Sequence, residues 1–320
     1  MSRLKKYHHL QPLEGEAQGS AVALGFFDGV HLGHQDVIRT AVKYAEANGL
    51  EPAVFTFSLP VQNTLKGGRI DTEEEKFSCM QKLGVQHYME PAFEDFRNLS
   101  PEQFVLDVLC GLYKAKALFC GDNFTFGKKA AGNVELLRQL CEPRGVKVCV
   151  VPMAVFDSEL ISSTRIRHAL GAGNMPLVNA LLGRPYAISF PVQHGQGLGS
   201  KLGFPTINQI YPEGFVMPRF GIYITRVLVN GKWYPSATGM GTRPTVNNSG
   251  QMPTCETFIP DFSGQLYGTT PRVEFYKYIA PSRKFDSLDA LKECVFNAAD
   301  EAREFFKNPP EEAVLTGWGK

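Results

Sequence analysis

The chain has 320 residues, 43% of them hydrophobic and 20% charged, a globular composition with room for about two domains. A formal net charge of +1 gives no bulk field to attract nucleic acid or an anionic membrane. The opening MSRLKKYHHL is basic, but no apolar stretch follows, so neither a signal peptide nor a membrane span is expected. The seven cysteines form no CxxC pair, which argues against a zinc site and for reduced thiols in a cytoplasmic protein.

The first half alternates strands and helices. SAVAL (20–24) reads as a buried strand. HQDVIRTAVKYAEANG then sets Val37, Ile38, Ala41, Val42 and Ala45 on one helical stripe, with Gly49 as the stop. EPAVFTF is a second strand. DTEEEKFSCMQKLG is a helix with a capping box from Thr72 to Glu75 and a stop at Gly84. VQHYM is a short strand. SPEQFVLDVLCGL opens on Ser100 as cap, with Pro101 at the first helical position and Gln103 completing a box. AKALFC and VKVCVV are the fourth and fifth strands. Such alternation predicts a parallel sheet with right-handed crossovers, and ligands bind at the carboxyl ends of its strands.

After about Leu182 the pattern changes. YAISFPVQ, GIYITRVLVNGKWYPSAT, ETFIPDF and PRVEFYKYI are strand-like, and Asn230-Gly231 is a hairpin signal. Antiparallel strands punctuated by glycine and proline predict a small barrel or sandwich. A last helix, DSLDALKECVFNAADEAREFF, carries Leu288, Leu291, Val295, Ala298 and Ala302 on the side expected to pack on it. The domains expected are 1–182 and 183–306, with 307–320 as a tail.

Three polar turns follow strands of the first half. GFFDGVHLGH (25–34) leads into a helix whose N-terminal N–H groups attract phosphate. Gly29 and Gly33 allow close backbone approach, and His31 and His34 can stabilise charge growing on a phosphate. By itself HxGH is equally a helix cap or a pair of exposed turn histidines. GDNFTFGKKAAGN (121–133) follows the fourth strand and ISSTRIR (161–167) the fifth, with Ser162 or Ser163 as a cap and Arg165 and Arg167 in reach of polyphosphate. Taken singly these are a surface loop and a routine cap. Together they describe a nucleotide-phosphate site.

In the second half, HGQGLGSKLGFPTIN (194–208) places Gly195, Gly197 and Gly199 between strands, where backbone N–H groups can meet a phosphate. Thr206 and Asn208 are two apart in a strand and face one way, as hard oxygen donors for Mg²⁺. A carboxylate is needed to orient or deprotonate an attacking hydroxyl. Glu256 is the candidate, with Asp261 and Glu274 as rivals.

The combination GFFDGVHLGH, GDNFTFGKKAAG and ISSTRIR resembles the adenylyltransferase module of the bacterial bifunctional riboflavin kinase/FMN adenylyltransferases. GRPY, LGFPTIN, GIY, GTRPT, CETF, DFSGQLYG and KFDSLDAL, in that order, resemble the riboflavin kinase module. The resemblance covers roughly residues 15–306. It implies a Rossmann-like nucleotidyltransferase domain followed by a six-stranded antiparallel β-barrel with a terminal helix. It implies two reactions: riboflavin plus ATP to FMN in the second domain, and FMN plus ATP to FAD and pyrophosphate in the first, both with Mg²⁺. Carried over residue by residue, Gly25, Phe26, Asp28, Gly29, His31, Gly33 and His34 hold ATP phosphates with Ser163, Thr164 and Arg167. Asn123, Phe124 and Phe126 serve the flavin. Gly195, Gly197 and Gly199 line the second ATP loop, Thr206 and Asn208 hold Mg²⁺, and Glu256 is the base on the riboflavin 5′-hydroxyl. The partners implied are these small molecules, with no nucleic acid and no membrane, in a monomer or weak homo-oligomer.

The chain departs from the family at several points. FTFSLPVQ (55–62) stands where FDPHP is common, and Gly239 where asparagine is usual. Ala280 and Ser282 replace an arginine and a glutamate, and Ala298 lies near a usual aspartate. Two alternatives follow: a riboflavin kinase with an impaired adenylyltransferase domain, and a flavin-binding regulator without turnover.

Overall fold

The computed structural model describes residues 4–14, 18–59, 67–195, 199, 202–244 and 251–308. They divide into two compact units. Residues up to 59 join 76–162 in the first, and 67–75 join the residues from 163 onward in the second.

The first unit is built on a six-stranded, all-parallel sheet: β1 (Lys5–Tyr7), β4 (His87–Met89), β3 (Glu51–Phe55), β2 (Ser20–Leu24), β5 (Ala115–Gly121) and β6 (Lys147–Val151), in that order. Five of these strands are the expected ones. β1 was not anticipated, because three residues that include two lysines carry no readable alternation. Helix α1 (Leu32–Asn48) buries Val37, Ile38, Ala41, Val42 and Ala45, and Gly49 stops it at φ +64°. The box at Ser100 and Gln103 forms as predicted on α3 (Pro101–Gln103). The chain then continues as a π-helix, Phe104–Leu112, burying Phe104, Val105, Val108 and Leu109. At α2 (Glu73–Lys82) only half of the expected box forms. The Thr72 hydroxyl accepts from the Glu75 N–H, while the Glu75 carboxylate is bonded to Arg272.

This order places the site. The chain steps from β2 to β3 on one side and returns to β5 on the other, so β2 and β5 flank a topological switch point. Sheets of this kind bind ligands beyond the carboxyl ends of their strands at such a point.

The second unit begins with α5 (Ser163–Ala172) and α6 (Met175–Leu182). Its antiparallel sheet runs β10 (Val192–Gln193), β11 (Thr206–Ile210), β14 (Gln251–Phe258), β13 (Lys232–Pro244), β12 (Gly221–Val229), β15 (Arg272–Pro281) and β9 (Tyr186–Ile188). Among the described residues the count is seven strands where the resemblance implies six, and the two short end strands β9 and β10 are not paired with each other. The sheet is thus an open, curled version of the expected barrel. Asn230 and Gly231 take φ +50° and +78°, the paired positive values of a tight hairpin. The terminal helix α7 (Leu288–Lys307) buries Ala298, Ala299 and Ala302, with Leu291 and Val295 beside Phe204 and Phe258. Leu288, expected on the same stripe, is 54% exposed at the helix start.

Residues 67–75 belong to this second unit by their bonds. Arg69 pairs through its backbone with Gly214 and Val216. A Cβ on Gly68 would come within 2.6 Å of the Val216 nitrogen. Asp71 and Arg184 form an ion pair at 2.7 Å with both side chains 4% exposed. Removing one partner of such a pair strands the other charge in a low dielectric. Arg184→Met is therefore expected to lower unfolding stability by about 3–5 kcal/mol, read from urea titration, and adding Asp71→Leu to recover most of the loss.

Candidate active sites

The first candidate site grows from the turn between β2 and α1. Three of its residues have positive φ: Phe27 (+51°), Gly29 (+84°) and Val30 (+34°). That is costly for a β-branched valine and persists only where surrounding contacts enforce it. The contacts are visible. Gly25 donates its N–H to Phe55 O at 3.2 Å. Phe27 is buried, and a Cβ on Gly25 would come within 2.8 Å of its ring. Gln35, buried on α1, donates from Nε2 to the Val30 carbonyl at 2.9 Å and accepts from Arg39 at 2.8 Å. The sequence offered no signal for Gln35 beyond its place among apolar helix positions.

His31 is the N-cap of α1, with its Nδ1 accepting the His34 N–H at 3.3 Å. The two imidazoles stack at 3.5 Å between centroids and 19° between planes. Phe27 meets His34 edge-on at 5.3 Å. His31 is therefore a cap and a candidate phosphate ligand together, because capping engages Nδ1. Asp28 and Gly29 are buried in the same turn, Phe26 packs at a tilt against Phe57 at 4.8 Å, and a Cβ on Gly33 would touch the His31 ring at 3.4 Å.

The loop after β5 lies beside this turn, since Ala23 and Phe119 are register partners. Within it the predicted residues divide. Phe126 is a core residue, bridged to Gly132 and packed at 5.9 Å from Phe104. Phe124 stacks on Phe126 at 5.7 Å and is half-buried, while Asn123 is exposed. The third turn begins from a hairpin, Val155–Phe156 with Glu159–Leu160, whose base carries an Ile161 N–H bond to Ala154 O at 2.9 Å. Ala154 is also next to Gly33, at 3.6 Å from a Cβ placed there. Ser163, Thr164 and Arg167 lie in the first turns of α5, in the second unit, and Arg167 Nε donates to Gly68 O at 2.8 Å.

The second candidate site is a row across three strands. Asn208 on β11, Glu256 on β14 and Gly239 on β13 are successive register partners, so their Cα–Cβ directions share one face of the sheet. Thr206, two residues from Asn208, is on that face as well. Asn208 is buried and Glu256 and Thr206 are half-buried. Gly239 leaves room beside Glu256, since a Cβ there would meet only the Glu256 carbonyl, at 3.8 Å. Of the glycine run, Gly195 follows β10, and Gly199 accepts the Phe204 N–H at 2.8 Å. Gly197 lies outside the described residues, as does the 60–62 end of FTFSLPVQ.

The rivals of Glu256 are engaged elsewhere. Glu274 accepts from Arg226 at 2.7 Å, Arg272 at 3.0 Å and the Tyr276 hydroxyl at 2.9 Å. Asp261 is held by a two-point contact from Arg303, which keeps its carboxyl below the usual range.

A parallel α/β unit with a histidine-capped helix at its switch point, joined to an antiparallel sheet that lines up Thr, Asn and Glu, defines a two-site nucleotide-dependent transferase. The comparisons carry this further. Residues 13–165 match the FAD synthetase family and residues 182–306 the riboflavin kinase family. The chain is 35% identical over 308 residues to the bifunctional riboflavin kinase/FMN adenylyltransferase of Bacillus subtilis (strain 168), covering 94% of this chain and 96% of that one. Identity to the Escherichia coli (strain K12) protein of the same description is 32% over 312 residues, covering 96% and 98%. A crystal structure described as a macrolide-efflux protein from Streptococcus pneumoniae is similar in fold, with a TM-score of 0.81 at 27% identity over 95% of this chain and 99% of that one. Among the described residues here, no helix is long and apolar enough to cross a membrane. The chain belongs to the bifunctional riboflavin kinase/FMN adenylyltransferase family.

The packing of the first turn makes a testable demand on Gly25. A Gly25→Ala chain must displace the Phe27 ring, and a destabilisation of about 1–3 kcal/mol is expected in chemical unfolding, as for other overpacked sites.

Proposed function

We propose that the chain makes FMN and then FAD, each at the expense of ATP. The observation that carries this reading is the placement of HxGH. The motif caps α1 at a point of the parallel sheet where strand order reverses. Helix N-termini at such points are where phosphate is commonly bound, which supports the reading. The similarity to bifunctional enzymes over almost the whole length of both chains supports the pairing of the two activities.

In the first unit, an oxygen of the FMN phosphate attacks the α-phosphorus of ATP, and the bond to the departing pyrophosphate breaks. No protein nucleophile is required, so catalysis is positioning and charge stabilisation. His31 and His34, at the positive end of α1, stabilise charge on the leaving pyrophosphate. Asn123 and Phe124 border the flavin phosphate side, while Phe126 serves by anchoring that loop in the core. Ser163, Thr164 and Arg167 are assigned to ATP phosphate by their motif.

In the second unit, Glu256 accepts the proton of the riboflavin 5′-hydroxyl as that oxygen attacks the γ-phosphorus of ATP, and ADP leaves. The Glu256 carboxylate faces the same side as Thr206 and Asn208. Those two neutral oxygen donors suit Mg²⁺, which leaves most of its charge to be matched by phosphate. Such an ion, when bound, offsets phosphate charge.

Purified protein given riboflavin, ATP and Mg²⁺ is expected to form FMN first and FAD later, with the flavins separated by chromatography over time. FMN that accumulates without FAD would mean that FTFSLPVQ has cost the first site its activity. Glu256→Gln is expected to slow FMN formation about 10²–10⁴-fold, the usual contribution of a general base. FAD formation from supplied FMN should persist in that variant, whereas His34→Ala should show the reverse pattern.

A further inference from the structure

Lysine is almost never buried unless its charge is matched. Lys76 on α2 is 9% exposed, and neither reaction above uses it. Its ammonium donates to the Phe26 carbonyl at 3.1 Å, to the Thr56 hydroxyl at 3.1 Å and to Glu90 Oε1 at 3.3 Å. Three partners account for all three of its N–H groups. The Thr56 hydroxyl in turn donates to the same Phe26 carbonyl at 2.8 Å. Glu90, 8% exposed, also accepts from the Tyr88 hydroxyl at 2.7 Å and faces Lys6 at 3.4 Å. Burial raises the Glu90 carboxyl, but Lys76, Tyr88 and Lys6 together outweigh it and hold the group below the usual range. Two ammonium groups around one carboxylate leave a net positive charge directly behind the phosphate-binding turn.

The Phe26 carbonyl is the link between this cluster and the site. It belongs to the peptide that enters Phe27, the first of the three positive-φ residues. A carbonyl gripped by a hydroxyl and an ammonium cannot swing, so the strained turn begins from a fixed plane. We propose that Lys76 is a positioning residue for adenylyl transfer. Through the Phe26 carbonyl it holds the turn 25–31 in the conformation that aims His31, His34 and the α1 N-terminus at the ATP phosphates. The proposal rests on the adenylyltransferase reading given above.

The test is steady-state FAD synthesis by the full chain, with ATP and FMN varied in turn, for wild type, Lys76→Met, Lys76→Arg and Thr56→Val. Lys76→Met should raise KM for ATP and reduce kcat/KM for ATP about tenfold to a hundredfold, the worth of a charged hydrogen bond. KM for FMN and the rate of riboflavin phosphorylation should hold. Lys76→Arg should recover part of the loss, since a guanidinium can still donate to the carbonyl. Thr56→Val, which removes the second donor, should shift KM for ATP in the same direction. If Lys76→Met does not fold, as judged by circular dichroism, the last two variants carry the test. A kcat/KM for ATP within about twofold of wild type overturns the proposal. So does a loss of both activities in step with the folded fraction. A wild-type chain that makes no FAD refutes the adenylyltransferase reading, and the proposal falls with it.

Discussion

The turn from Leu24 into α1 constrains everything around the first site. The chain must leave a buried parallel strand and start a helix within seven residues, and it does so through Phe27, Gly29 and Val30 at positive φ. A conformation of that kind is held from outside. Phe27 is sunk in the core, Gln35 grips the Val30 carbonyl, Thr56 and Lys76 grip the Phe26 carbonyl, and His31 closes the helix end. The same contacts that enforce the turn fix the imidazoles and the N-terminal N–H groups of α1. Scaffold and proposed site are one structure here, so residues with no chemistry of their own set where the imidazoles sit.

The second unit solves a different problem. Its sheet has two faces of opposite character. On one, Thr225, Ser236, Thr238 and Thr257 are fully buried and hydrogen-bonded to one another at 2.7–2.8 Å. The hydroxyls satisfy each other, so a polar interior carries no desolvation debt. The other face presents Asn208, Glu256 and Thr206, with α7 packed farther along over Phe204 and Phe258. Ala298 lies within that apolar cluster, where an aspartate would be an uncompensated charge, so the departure at this position suits the packing. At Gly239 the departure opens space directly beside Glu256.

Local order was legible in the residues. The α1 stripe, its stop at Gly49, the box at Ser100, the Asn230-Gly231 hairpin and five of six parallel strands follow from periodicity and from side chains that act on their own backbone. The motifs were legible for the same reason, since HxGH and Thr-Ile-Asn need only adjacent residues to define a cap or a strand face. These are properties of φ/ψ preference and of repeat length, and both are written within a few residues of where they act.

What tertiary structure decided concerns partners far apart in the chain. Asp71 meets Arg184 across 113 residues and Glu75 meets Arg272 across 197, and these bonds move a stretch between β3 and α2 into the second unit. Glu256, Asp261 and Glu274 are alike as letters. The arginines around two of them separate their surroundings, and Arg226 and Arg303 are supplied by β12 and α7. Lys76 reads as an ordinary helix residue until the fold brings it the carbonyl of Phe26, 50 residues away. A charge or a hydrogen-bonding group is defined by what surrounds it, and for a buried group those surroundings come into being only when distant segments pack.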